Sequence, residues 1–158
     1  MGRVTFAVIR AAVAASLISF PSAVADDFAS WMEDPDGILL WVSVPRDALV
    51  GERITLTITI ENTRQGAAFY LEDIDVAGSY VKGFSIMDVQ PTPLDRYVID
   101  GDMTLEYHRQ IPAGSSQQVY IDLKPETRGV YSGDVDVWGT EEQEQGRFCT
   151  GRAQTTVE

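Results

Sequence analysis

An antiparallel β-sandwich of seven to eight short strands is the fold class this sequence predicts, and three observations predict it. Apolar and polar residues alternate at period two in segment after segment, as one-face-buried strands require. Gly and Pro turn signals separate those segments at short, regular spacing. No stretch carries a convincing helical period, and no internal repeat is visible.

The first 25 residues are expected to lie outside the fold. Arg3 and Arg10 form a short basic start, residues 11–20 (AAVAASLISF) form an apolar run, Pro21 breaks it, and Ala23-Val24-Ala25 reads as a cleavage site. The run is shorter than the roughly 20 apolar residues a bilayer span needs. The expectation is a signal peptide over 1–25 and an exported chain, periplasmic or extracellular, with no membrane insertion of its mature part. Residues 26–37 (DDFASWMEDPDG) read as a loose acidic leader ending in a turn, with a weak helical option around 25–35. Residues 38–158 then form the single sandwich domain.

Along that domain, residues 38–44 (ILLWVSV) read as a strand, and the Pro45 that ends it suits a sheet edge. Residues 52–61 (ERITLTITIE) give the cleanest alternation: Ile54, Leu56, Ile58 and Ile60 on one face, Thr55, Thr57, Thr59 and Glu61 on the other. In 68–76 the alternation slips between Leu71 and Ile74, which a bulge near Glu72-Asp73 would repair. Residues 80–88 alternate again, with Phe84 and Ile86 together. Residues 90–97 (QPTPLDRY), with two prolines, read as a loop, and 103–108 as a strand with Met103, Leu105 and Tyr107 on one face. Val119, Ile121 and Leu123 oppose Gln118, Tyr120 and Asp122. Tyr131, Gly133, Val135 and Val137 oppose Ser132, Asp134, Asp136 and Trp138. After a polar loop at 139–147, Cys149, Gly151, Ala153, Thr155 and Val157 share the core side of the last strand, so the single cysteine is expected to be a small buried hydrophobe.

Three motifs carry a resemblance to a known family. V-G-E-x-x-x-L-x-I-x-I-x-N at 50–62, I-P-A-G at 111–114 and G-V-Y-S-G-D-V-D-V at 129–137 together resemble the immunoglobulin-like modules of exported bacterial and archaeal proteins, the cell-adhesion-related CARDB type. The resemblance implies a seven-stranded sandwich, non-enzymatic, used in adhesion or assembly. The motif residues also make physical sense. Gly51 permits a sharp turn, Asn62 ties a strand end through its amide, and Tyr131 suits a tyrosine corner with its hydroxyl bonded back to main chain.

Composition narrows the function. A formal charge of −12, more negative once Arg3 and Arg10 are removed, repels phosphate backbones and anionic lipid, so nucleic acid is not an expected partner. Basic protein patches and weak cation binding are compatible with it. No cofactor is implied. His108, on the polar side of a strand, and Cys149 are thin material for a hydrolase or a transition-metal site, so no catalytic residue is assigned. Met87 and Met103 read as core fillers. The Asp34-Pro35-Asp36-Gly37 stretch puts Ser43 where an EF-hand needs its bidentate Glu, and Asp73/Asp75 or Asp134/Asp136 stand too far apart along one strand to share an ion unaided. Trp31, Trp41, Tyr120 and Trp138 fall outside the core by alternation. The expected contact region is an outward face carrying Trp41, Tyr120 and Trp138. The expected function is non-catalytic binding or assembly with an envelope or surface protein, with glycan or calcium binding as the alternative.

Overall fold

The structure, a computed structural model, describes residues 27–33, 37–141 and 144–158. The signal-peptide expectation for residues 1–25 lies outside them. Eleven strands and one short helical turn follow in chain order: β1 (Asp27–Glu33), β2 (Ile38–Pro45), β3 (Asp47–Ala48), β4 (Ile54–Asn62), β5 (Phe69–Val76), α1 (Gly78–Val81), β6 (Phe84–Gln90), β7 (Asp95–Ile99), β8 (Asp102–Ile111), β9 (Ser116–Pro125), β10 (Gly129–Glu141) and β11 (Glu144–Val157). They form an immunoglobulin-like sandwich of a five-stranded sheet, β1-β2-β4-β9-β6, and a six-stranded sheet, β3-β11-β10-β5-β8-β7. Among the described pairings all are antiparallel except β3 on β11.

The core is the set the alternation selected. Ile54, Leu56, Ile58 and Ile60 of β4 meet Leu40 and Val42 of β2 and Val119, Ile121 and Leu123 of β9 on the inner side of one sheet. Ile74, Leu105, Val135, Val137 and Ala153 line the inner side of the other. Cys149 is buried among them at 4% exposure, as a small hydrophobe. Each fully buried aliphatic side chain contributes about 1.5–3 kcal/mol, which is what holds the two sheets face to face.

Three local readings are also met. The register between β5 and β8 shifts between Leu71 and Asp73, the bulge that the slipped alternation requires. Gly51, at φ +83°, makes the turn into β4. The Tyr131 hydroxyl lies 2.6 Å from the Thr127 hydroxyl and donates to the Thr127 carbonyl at 3.2 Å, closing a tyrosine corner.

Other expectations are corrected. Residues 27–33, read as a loose leader, are strand β1, paired with β2 from Asp27↔Pro45 to Glu33↔Leu39. Pro45 therefore does not mark an edge; β2 sits between β1 and β4. Residues 78–81 are a helical turn, and strand begins only at Phe84. The proline-rich 90–97 stretch is a loop only to Leu94, after which β7 pairs with β8. Residues 139–141 and 144–147, read as part of a polar loop, extend the pairing of β10 with β11. Met103 is buried, but Met87, next to the core-side Ile86, points outward at 51% exposure, and the register shift between Ile86 and Asp88 returns Val89 to the core in its place.

Candidate functional site

The outward residues of the six-stranded sheet are built by parity. Val135 and Val137 of β10 point into the core, so Asp136 and Trp138 point away from it. Ile74 and Leu105 do the same for Asp75, Asp73, Thr104 and Glu106 on β5 and β8. Register then assembles two rows. One runs Thr150, Asp136, Asp75, Thr104, Tyr97 across five strands; the other runs Trp138, Asp73, Glu106, Asp95 across four. Adjacent strands stand about 4.8 Å apart, so these carboxylates are direct neighbours.

Asp75 is the anchor of the patch. Its Oδ2 accepts the indole N–H of Trp138 at 3.1 Å and its Oδ1 accepts the Thr104 hydroxyl at 2.5 Å. Trp138, 40% exposed, is thereby fixed as an aromatic plate standing among acids. Asp73 and Asp136 are less well served. Each has one buried carboxylate oxygen with no hydrogen-bond partner. Burial pushes the Asp73 carboxyl above its ordinary range, and the charges of Asp75 and Glu106 push it further, against a smaller opposing effect of His108. Burial also raises Asp136, which a hydrogen bond from Thr150 partly offsets and the charges of Asp134 and Asp75 reinforce. His108 stands beside the row, two residues along β8, 3.0 Å from Glu106 and with its ring centroid 6.3 Å from that of Tyr70.

This geometry divides the expected contact face. Trp41 and Tyr120 do share an outward surface, but it belongs to the five-stranded sheet. There Tyr120 donates to Gln118 at 2.6 Å and Gln118 in turn donates to Thr59 at 3.4 Å, in a neutral Thr/Gln ladder. Trp41 is half-buried on β2, in the row Trp41, Thr59, Gln118. Trp138 lies on the opposite side of the sandwich. The three residues are not one face, because strands of equal alternation were assigned to a common side without knowing which sheet each joins.

The Cys149–His108 pair is not assembled. Cys149 points into the core from β11, while His108 is exposed on β8, with β10 and β5 between the two strands. Among the described residues, no three His, Cys, Asp or Glu side chains converge as a cation's ligands. The acids form flat rows, not a cup.

What the sequence missed is the cross-strand acidic patch. Asp73/Asp75 and Asp134/Asp136 were visible as pairs along single strands. That β5 and β10 are neighbours, in a register setting Asp136 beside Asp75 and Trp138 beside Asp73, was not.

No model of a known protein family matches the chain, and no curated protein matches it in sequence. Solved structures do. A cohesin module from a Clostridium perfringens ATCC13124 family 33 glycoside hydrolase matches at 11% identity over 83% of this chain and 100% of that one, with a TM-score of 0.47. The collagen-binding subdomain of the Enterococcus faecalis surface protein ACE matches at 10% identity over 72% and 95%, with a TM-score of 0.44. A PapD-like domain of human CEP192 matches at 14% identity over 80% and 90%, with a TM-score of 0.43. At such identities the likeness is one of architecture.

Proposed function

We propose that this chain is a non-catalytic, exported immunoglobulin-like module that binds a protein partner in the cell envelope or at the cell surface, in the manner of CARDB-type modules. The contact region is the Trp138 face of the six-stranded sheet. One observation carries the reading: an exposed tryptophan is held by Asp75 on a surface that also carries Asp73, Asp136, Glu106 and Asp95. Tryptophan is the residue most enriched at binding hot spots, and an aromatic plate ringed by anions suits a Lys- or Arg-bearing partner through cation–π and charge contacts. The carboxylates raise their own free energy by standing together, and a cationic side chain would relieve that repulsion. Export rests on the N-terminal 25 residues.

The test separates the two faces. The chain and its Trp138→Ala and Trp41→Ala variants are immobilised and exposed to envelope extract. A species retained by the parent chain and by Trp41→Ala, and lost from Trp138→Ala, supports the assignment. Equal retention by all three sinks it, and loss only from Trp41→Ala moves the site to the other sheet. Retention should also fall steeply between low and physiological salt, because the contact is largely ionic.

A further inference from the structure

The last strand of the six-stranded sheet, β7, ends that sheet with no described strand on its far side. Protein edges are normally guarded by bulges, prolines, lysines, shortness or a covering element. The other described edges show such devices: β3 has two residues, β6 carries the Met87 bulge and runs into Pro91, and β1 is tied to β11 by the Ser30 hydroxyl on the Arg152 carbonyl at 2.8 Å. On β7 none is seen. Its five residues pair with β8 without a register shift, and Tyr97, Val98 and Ile99 are all exposed, Val98 at 68%.

Hydrogen-bonding geometry says which groups are open. Asp100 and Gly101 close the β7–β8 hairpin with positive φ at both positions, +52° and +98°. Such a two-residue turn makes the flanking Ile99 and Asp102 a hydrogen-bonded pair, so Tyr97 and Thr104 are the next. Arg96 and Val98 then direct their N–H and C=O groups away from β8. The Arg96 N–H does so visibly: it is taken by the Asp95 carboxylate at 2.7 Å. The N–H and C=O of Val98 face outward.

The sequence of this edge is complementary to itself. Read antiparallel about Val98, Arg-Tyr-Val-Ile-Asp (96–100) sets Val98 against Val98, Tyr97 against Ile99 on both sides, and Arg96 against Asp100 on both sides. The first two are favourable cross-strand pairs, β-branched on β-branched and aromatic on β-branched, and the third sets a cation against an anion just past the strand's end, where Asp100 opens the turn. Neighbouring registers are worse. An axis at Arg96 would oppose two guanidiniums, and an axis at Tyr97 would press Asp95 onto Ile99.

We infer that β7 is a homotypic docking edge, through which a second copy of this chain adds antiparallel about a two-fold axis at Val98. Two six-stranded sheets become one continuous sheet, and the exposed Tyr97, Val98 and Ile99 are covered. An open groove of about 470 Å³ beside the edge, lined in part by Met87, Leu94 and Arg96, gives room for side chains of the incoming strand. The interface is isologous, so it closes at two copies and does not propagate. Five residues a side is far fewer than the roughly 20–30 of a standard interface, so the dimer forms at high protein concentration. The inference does not depend on the Trp138 reading: loss of one leaves the other standing.

Sedimentation velocity on the purified chain, from about 10 μM to about 1 mM, tests it with Arg96→Glu, Asp100→Lys and an equimolar mixture of the two. The parent chain is expected to move from monomer to dimer across the series. Each variant alone carries two like-charged cross-strand pairs and should dimerise at least about tenfold more weakly. The mixture restores dimer, because the new carboxylate at position 96 of one copy meets the new ammonium at position 100 of the other, while the second pair stays Arg96 with Asp100. Far-UV circular dichroism establishes that each variant is folded. A parent chain that is monomeric throughout, or variants that dimerise as well as the parent, or a mixture no better than its components, overturns the proposal.

Discussion

Asn62 is where the stability of this sandwich is most sharply testable. It is the last residue of β4, at 0% exposure, where the chain leaves the five-stranded sheet for β5 in the other. Its Nδ2 donates to the carbonyls of Ala67 at 2.9 Å and Ile111 at 3.0 Å, and its Oδ1 accepts the Arg64 N–H at 3.2 Å. One amide thus ties the crossing loop at both ends and fastens it to the end of β8. Its own backbone joins the β8–β9 turn, through Ser115 at 2.9 Å and Gly114 at 2.8 Å. Asn62→Ala removes three hydrogen bonds and leaves their backbone partners under-satisfied, at about 1 kcal/mol each, for a total of about 3 kcal/mol. That is a large fraction of the roughly 5–15 kcal/mol of a typical domain, and corresponds to a fall in Tm of about 10 °C at this size. Asn62→Asp keeps the shape, exchanges the donor for an acceptor and buries a charge, so at pH 7 it should be at least as damaging. Urea unfolding followed by tryptophan fluorescence, with an unchanged m-value, measures both. A loss below about 1 kcal/mol for Asn62→Ala, or an Asp variant as stable as the parent at pH 7, would refute this account of the corner. Because Asn62 is buried and none of its hydrogen-bond partners belongs to the Trp138 face, retention of the proposed partner below the melting transition should be unchanged.

Two further outcomes concern Asp73 and Asp136, and Gly83. Asp73 and Asp136 hold their protons more tightly folded than unfolded, so they favour the folded state below their ordinary 3.8, and that contribution is lost as pH rises through their raised folded values. Asp73→Asn or Asp136→Asn should therefore raise Tm at pH 7, modestly, by the equivalent of about 0.5 kcal/mol since both sites are partly solvated, with the advantage vanishing below pH 3.8; an equal gain at both pH values would contradict the cause given. Gly83→Ala would place a methyl 2.3 Å from the Cζ of Tyr131, a ring already pinned by Thr127, and should cost about 2–3 kcal/mol by urea midpoint; a cost under about 0.5 kcal/mol would show that the tyrosine corner is not rigid.

The inner half of the fold was legible because burial writes itself at period two. Ile54 to Ile60 and Val119 to Leu123 specify their faces regardless of which strands lie beside them. The corner residues Asn62 and Tyr131 were legible too, since a buried amide or phenol at a strand end has few partners but main chain. Illegible features depend on pairing. β1 is acidic and carries no long alternation, so only its register against β2 makes it a strand. β7 follows two prolines in a segment where exposed Tyr97, Val98 and Ile99 leave no inside–outside contrast to read. Met87 lies outside by the same alternation that puts Phe84 and Ile86 inside, and the bulge, which adds one residue, sends Val89 to the core instead. Trp138 was correctly placed outside the core, yet being outside does not say on which of two outsides.

That last distinction decides how the surface can work. Sheets in a sandwich pack about 10 Å apart, so Trp138 and the Trp41–Tyr120 pair look out in opposite directions, and one partner surface cannot grip both. The two faces also differ in kind. On the five-stranded sheet, Thr55 donates to Asp122 and Arg53 pairs with the same carboxylate, so that its charge is already met. On the six-stranded sheet, Asp73, Asp136, Glu106 and Asp95 have one described ion-pair contact among them, Glu106 with the His108 imidazole at 3.0 Å. A face whose charges are internally balanced gains little from a charged partner, because it must break existing contacts to form new ones. A face left with surplus negative charge around a fixed indole gains directly, since the incoming cation removes repulsion that the folded chain carries by itself. The carboxylates that weaken the sandwich at neutral pH are therefore the same groups that would give the proposed basic partner its hold. A pH low enough to protonate Asp73 and Asp136 should release that partner while stabilising the fold, whereas a merely structural patch would show the stabilisation without the release.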